Sequence, residues 1–240
     1  MFRVKHRDKS PKEPAQVAEE TIALVERELR EVGFAIPVNL LSKLERFAAA
    51  LALWGSKTNL TAAPDDPAEL AFHILDSLSP VLLPEQPRGA KLVGIFGPGR
   101  RVLDLGSGAG FPGLVLAAAT EANFTLLEAR RKRASFLTVA ASEMSLANVE
   151  VDSHHRGPEA LLASFDVVTA RAFAQPEVFY QSAVAALKAH GIAILYANPD
   201  QPLDQAAAAA VGFGETEQLS YAVTRGKSRV PRLLVVSRKR

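Results

Sequence analysis

The residues with the clearest chemical content lie between Val102 and Gly113, which read Val-Leu-Asp-Leu-Gly-Ser-Gly-Ala-Gly-Phe-Pro-Gly. An apolar strand runs into a glycine-rich turn and then into a helix. Glycines let the backbone turn tightly and let a ligand approach it closely. In an open α/β sheet such a turn stands at the carboxyl ends of the strands, where ligands bind. The next apolar strand ends in Glu128, twenty residues after Gly108. A carboxylate there accepts hydrogen bonds from ribose hydroxyls, so the two features point to an adenosine-containing cofactor. Two cofactors compete. Gly108, Gly110 and Gly113 match the dinucleotide fingerprint G-x-G-x-x-G, which implies an NAD-dependent oxidoreductase. Asp104, Gly106 and Gly108 equally form the Asp-x-Gly-x-Gly loop of enzymes that use S-adenosylmethionine (SAM). Asp104 discriminates between them. A carboxylate at the mouth of the loop repels a pyrophosphate and attracts the sulfonium and ammonium groups of SAM. The loop therefore favours SAM.

Other residues could act on a substrate. Arg171 ends a strand beside the same crevice; read from the residues alone it is a strand-end arginine in a salt bridge and Phe173 a buried phenylalanine, whereas in an enzyme that acts on nucleic acid Arg171 could contact cofactor or position the target base and Phe173 could stack on it. His73 and Asp76, three apart, share one face of a helix and could shape a pocket. They are too few for a metal site, and His154-His155 lie in another segment. The chain has no cysteine, which excludes disulfides, cysteine metal sites and cysteine nucleophiles. Ser107 is not a hydrolase nucleophile, because Gly-x-Ser-x-Gly is absent. Arg130, Arg131, Lys132 and Arg133 are consecutive cations at the start of the helix after Glu128, and read either as a solvated helix face or as contacts to phosphate. The stretch from Arg225 to Arg240 carries seven cations and no acid, and reads as a solubilising tail.

These residues need a scaffold, and the chain has one. It has 240 residues, 48% hydrophobic and 22% charged, with a formal net charge of +2. That mix suits a globular α/β protein and excludes wholesale disorder, collagen and a coiled coil. The longest uncharged apolar run, Gly108–Ala119, is twelve residues, well short of the ~20 a membrane helix needs. No secretory signal is visible at the N-terminus, so a cytoplasmic location fits. Residues 1–83 read as a helical N-terminal extension, with helices from Pro14 to Val32, from after Pro37 to a stop at Gly55, and from Pro67 to Leu78. Residues 84–100 form a Gly/Pro-rich linker with a short strand at Lys91–Phe96. Residues 101–240 alternate between strands and helices. The strands fall at Arg101–Leu105, Phe124–Glu128, Val149–Val151, Phe165–Arg171, Ile192–Ala197, Leu219–Val223 and Arg232–Ser237. Helices at about 111–120, 130–146, 157–164 and 176–189 separate the first five, and a weaker one covers 201–211. Alternation of this kind means a mostly parallel sheet with helices on both faces, and the last two strands form a hairpin that leaves an antiparallel edge strand.

Several pieces together resemble the bacterial RsmG (GidB) family, whose members methylate N7 of a guanine in the 530 loop of 16S ribosomal RNA. They are Asn59-Leu60-Thr61, His73-Ile74-Leu75-Asp76-Ser77, the glycine loop, Lys132-Arg133 with Phe136-Leu137, and Arg171-Ala172-Phe173-Ala174. The resemblance implies a Rossmann-like class I SAM-dependent methyltransferase fold with a helical N-terminal extension. It implies SAM contacts at Gly106, Phe111, Arg171 and the Gly157-Pro158 region, the small ribosomal subunit as partner, and neither metal nor membrane. Guanine N7 carries a lone pair and no proton, so such a reaction needs alignment rather than a general base. The chain departs from the family's pattern at Phe72, where a basic residue is usual, at Asn198-Pro199 in place of a lysine-glycine pair, and at Gly157-Pro158. A small-molecule methyltransferase is the alternative, and it would need a closed apolar pocket.

Overall fold

A computed structural model describes residues 12–83, 92–153, 163–172, 175–200 and 205–240. The first helix, α1 (Pro14–Glu31), buries Val17, Ala18, Ile22, Val25 and Leu29 along one stripe. Gly33, at φ +72°, ends it, and the Phe34 amide donates back to the Leu29 carbonyl. Helix α2 (Leu40–Thr58) passes the expected stop at Gly55 and ends at Asn59, which takes a left-handed φ of 48°. Gly55 serves packing instead. A Cβ there would lie 2.2 Å from the Pro64 Cβ, so the bare backbone lets the next loop press against the helix. Helix α3 (Pro67–Leu82) starts at Asp66, whose carboxylate accepts from the Ala68 amide at 2.9 Å. It continues four residues past the expected end at Leu78, straight through Pro80. Leu78, Ser79 and Pro80 are all buried, and that packing outweighs the missing proline N–H.

The strand expected at Lys91–Phe96 is not formed among its described residues, 92–96, which make turns instead. Leu92, Ile95 and Phe96 are buried there, and Phe96 stacks on Phe124 at 6.3 Å between ring centres. A turn that buries three apolar side chains has the same short-range pattern as a strand.

The sheet holds β1 (Arg101–Leu105), β2 (Asn123–Leu127), β3 (Val149–Asp152), β4 (Phe165–Arg171), β5 (Leu187–Ala197), β6 (Phe213–Arg225) and β7 (Ser228–Lys239). Helices α4 (Gly113–Ala119), α5 (Arg131–Glu143), α6 (Pro176–Ala186) and α7 (Gln205–Ala210) lie between them. The helix expected at 157–164 falls largely outside the described residues. Strand order is β3-β2-β1-β4-β5-β7-β6. Strands β1 to β5 are parallel. The hairpin turns its second strand inward: β7 runs antiparallel beside β5, and β6 forms the edge. Strand order reverses between β1 and β4, so the crevice for a ligand opens after Leu105 and Arg171.

Alternate residues of β1 enter opposite layers. Val102 joins a cluster with α1 to α5, including Leu29, Phe47, Leu70 and Phe136. Leu103 and Leu105 join Phe179, Tyr180 and Ala208 on the other face. The N-terminal helices and the sheet therefore share one hydrophobic cluster. The basic stretch after Arg225 is no solvated tail, because it is built into this architecture. Lys239 donates to the Val184 and Leu187 carbonyls at 2.7 Å each, Arg225 pairs with Glu69, and Arg229 lies 3.6 Å from Glu28. Its cations tie the hairpin to α6 and to the helical lobe. Among the described residues no helix is long and apolar enough to cross a membrane.

Candidate active site

The glycine loop hangs from β2. The Gly106 and Ser107 amides both donate to the Leu127 carbonyl, at 2.8 and 3.1 Å. Gly106, Gly108 and Gly110 all take positive φ, at 67°, 57° and 90°, which a side chain at these positions would oppose. Glu128 closes the loop from the second strand. One of its oxygens accepts from the Gly108 amide at 3.0 Å and the other from the Arg130 amide at 2.8 Å. Each oxygen keeps a second lone pair for a ribose hydroxyl.

Asp104 is not at the mouth of this loop, contrary to the sequence expectation. It is fully buried beneath it. Its Oδ1 accepts from the Thr169 hydroxyl of β4 at 2.9 Å, and Oδ2 lies where a Cβ at Gly113 would come within 2.6 Å. The residue points into the layer under α4, because it shares a strand face with Val102. Its charge reaches a ligand through dry protein rather than by contact. Burial pushes its carboxyl up to about 6, and neighbouring hydroxyls offset part of that cost.

Across the crevice, Arg171 at the end of β4 lies over the Phe111 ring, 4.8 Å from its centre. Phe111 is itself packed between Phe47 and His73, with ring centres at 5.1 and 5.3 Å. Its ring is therefore committed to the helical lobe and serves as a platform for Arg171. His73 and Asp76, though three apart on α3, do not turn to each other. Asp76 turns to the sheet instead, as a hub with its side chain only 1% exposed. It accepts from Arg171 at 3.3 Å, from the Tyr221 hydroxyl at 2.6 Å, and from two nitrogens of Arg232 at 3.0 and 3.1 Å. Two arginines on one carboxylate leave a net positive charge at the crevice. Burial lowers the pKa of Arg171, and Asp76 opposes that fall. Burial also holds the Tyr221 phenol firmly protonated.

His73 has a buried Nδ1 without a hydrogen-bond partner among the described residues. Burial, reinforced by Arg171, lowers its pKa from 6.5 to about 4, so it is a neutral imidazole at pH 7. Two opposed pH effects follow. Between pH 6.5 and 4 the unfolded chain protonates His73 and the folded chain does not, so acid costs stability. The folded chain takes up a proton on Asp104 below about pH 6, whereas the unfolded chain does so near 3.8, so acid there restores stability. Each effect amounts to at most about 3 kcal/mol, and they largely cancel. Asp104→Asn should therefore make thermal stability fall more steeply than in the unaltered protein from pH 7 to 4.5. His73→Gln should make it fall less or rise. Melting curves that keep the unaltered pH dependence in both variants would refute this assignment.

The basic run divides. Arg130, Arg131 and Lys132 are exposed. Arg133 is not part of a solvated face: it donates to the Asn59 carbonyl at 3.4 Å and its other nitrogen lies beside Gly108. It thereby joins the end of α2 to the glycine loop. Gly157, Pro158 and Phe173 lie outside the described residues. Sequence reasoning missed Tyr221, Arg232, Thr169 and Phe47. Arg232 was hidden in a charge run, although alternation along β7 marks it as facing the side of Val230 and Leu234.

The donor set fits SAM. Glu128 offers acceptors to a ribose, the buried Asp104 places negative charge under the loop, and Arg133 stands beside it to match a carboxylate. Among the described residues no three histidine or acidic side chains gather to hold a metal. Comparison with known proteins gives the family. The GidB family profile, described as rRNA small subunit methyltransferase G, matches residues 40–229. A protein named ribosomal RNA small subunit methyltransferase G from Cupriavidus pinatubonensis is 32% identical over 90% of this chain and 93% of its own. Its namesake from Methylobacillus flagellatus is 35% identical over 65% of this chain and 70% of its own. Among solved structures, the Thermus thermophilus 16S rRNA N2 G1207 methyltransferase, in complex with AdoMet and guanosine, superposes with a TM-score of 0.51. At 23% identity over 75% of this chain and 45% of that one, it shares the class I methyltransferase fold. The sheet, the glycine loop and the profile match together place this chain in the rRNA small subunit methyltransferase G (GidB) family.

Proposed function

We propose that the chain transfers a methyl group from SAM to N7 of a guanine in the 530 loop of 16S ribosomal RNA, in the cytoplasm. Membership of the family, over residues 40–229, makes it a SAM-dependent methyltransferase of small-subunit ribosomal RNA. One observation supports the finer reading: in the crevice between β1 and β4 burial lowers the His73 pKa to about 4, which makes its imidazole a weak base at pH 7, and Arg171 is held in place by Asp76 and Phe111. Bound SAM supplies an electrophilic methyl group. The chain's own residues then have a positioning task. Gly106 and Gly108 bring bare backbone to the cofactor, and Glu128 holds that backbone in place while offering lone pairs. Phe111 and Asp76 hold Arg171 from two sides, which limits the orientations open to its guanidinium at the end of β4. An acceptor atom with a lone pair and no proton asks only for such alignment. Methylation at N7 moves positive charge onto the base. A histidine that stays neutral adds no further cation next to it.

Labelled SAM should be offered to small-subunit particles and to free 16S RNA that lack the modification, followed by nucleoside analysis. Label in 7-methylguanosine is expected. Label in another nucleoside would overturn the N7 reading and keep ribosomal RNA as substrate. No label, from protein shown to be folded and to bind SAM, would favour a small-molecule methyltransferase.

A further inference from the structure

A cleft of about 580 Å³ opens between α2 and α5, outside the crevice described above. Leu53, Trp54 and Thr58 form one wall, and Lys132 and Ser135 form the other. The lining is mostly apolar. Leu53 stays 53% exposed in it and, with Trp54, gives the cleft an apolar wall open to solvent. Trp54 has its inner side against Phe136, with ring centres 5.9 Å apart, and is half-buried. The rim is basic: Lys132 lines the cleft, and exposed Arg130 and Arg131 precede it.

We propose that this cleft receives an unpaired nucleobase of the RNA, one other than the base being methylated. The inference rests on the reading of RNA as the substrate. An aromatic face flanked by cations is the pattern that binds single strands, with the base stacking on the ring and the phosphate meeting the cation. An apolar peptide could fill the cleft, but it would leave three exposed cations without a partner charge. An RNA strand matches both features. The place in the fold agrees. Lys132 lies next to Arg133, which bonds the Asn59 carbonyl at the end of α2 and reaches the glycine loop. The cleft thus adjoins the cofactor site, so one strand could enter both. The exposed part of the basic run acquires a specific task, which is to hold the phosphates on either side of the stacked base.

Trp54 is the only tryptophan in the chain, so its fluorescence reports on this cleft alone. The full-length protein, saturated with SAM, should be titrated with a single-stranded RNA of about ten nucleotides. A matched abasic strand carries the same charge. The RNA should quench the fluorescence, and the abasic strand should bind more weakly and quench little. Trp54→Leu should weaken RNA binding about 5- to 100-fold, measured by electrophoretic mobility, and leave SAM affinity unchanged. Because Trp54 also packs on Phe136, a second variant is needed that spares it. Ser135→Leu fills the cleft from the exposed opposite wall and should weaken binding similarly without lowering the melting temperature. Lys132→Gln should lower the salt dependence by about one ion. Equal binding and quenching by the abasic strand would overturn the proposal, leaving only a charge contact. Unchanged RNA affinity in Ser135→Leu would overturn it too. Methyl transfer to ribosomal RNA that survives both variants undiminished would refute the cleft and leave the substrate standing. No binding of any RNA, by a folded protein that binds SAM, would refute both.

Discussion

Asp76→Ala is expected to produce the largest loss of stability of any single substitution in the crevice, about 3–5 kcal/mol. The carboxylate holds Arg171, Arg232 and Tyr221 at once, and its side chain is 1% exposed. Removing it leaves two largely buried guanidinium groups without their shared counter-charge. The corresponding fall in melting temperature is on the order of 10 °C for a chain of this length. The cause can be separated from simple loss of packing. Arg232→Leu on its own removes one cation and leaves Asp76 bonded to Arg171 and Tyr221. Added to Asp76→Ala, it should restore part of the lost stability, because one uncompensated charge goes with it. Additive losses in the double variant would show that the charges are not what makes Asp76 costly to remove. The hub also explains how a strand near the C-terminus bears on the site. Tyr221 on β6 and Arg232 on β7 clamp α3 to the sheet through one carboxylate, and α3 carries His73.

Arg171→Ala is expected to act in the opposite way, with a large effect on activity and a small one on stability. Asp76 keeps Arg232 and Tyr221 when Arg171 is removed, so no buried charge is stranded. What is lost is a donor fixed at the carboxyl end of β4. Loss of one preorganised donor costs about 100- to 1000-fold in turnover. Arg171→Lys should not rescue it. A lysine cannot lie flat over the Phe111 ring while bonding Asp76, because its ammonium is a point charge and not a planar fork. Steady-state methyl transfer with SAM and RNA varied in turn will assign the role. A rise in KM for SAM alone places Arg171 on the cofactor. A fall in kcat with SAM affinity kept places it on the target base. Turnover within a few-fold of the unaltered enzyme, with both KM values also unchanged, would remove Arg171 from the site altogether.

The local sequence determined much of this protein. The glycine loop with Glu128 identified a cofactor turn, because positive φ at Gly106 and Gly108 is written into the residue type. Helical periodicity located α1, and strand–helix alternation located β1 to β5 and the class of sheet. These are properties of short segments. Non-local packing decided the rest. Gly55 and Pro80 look like helix ends in sequence, yet both lie inside helices, since Pro64 and the buried environment of α3 supply what the local residues withhold. Asp104 kept its place in the motif, but the alternation of β1 turned it away from the mouth of the loop. The clearest case is Arg232, 156 residues from Asp76 along the chain and bonded to it in the fold. A carboxylate on a helix and a cation in a basic stretch carry no local sign of each other. Only the inward turn of the β6–β7 hairpin, which sets β7 beside β5 and faces α3, brings the two charges together and excludes the water that would otherwise screen them.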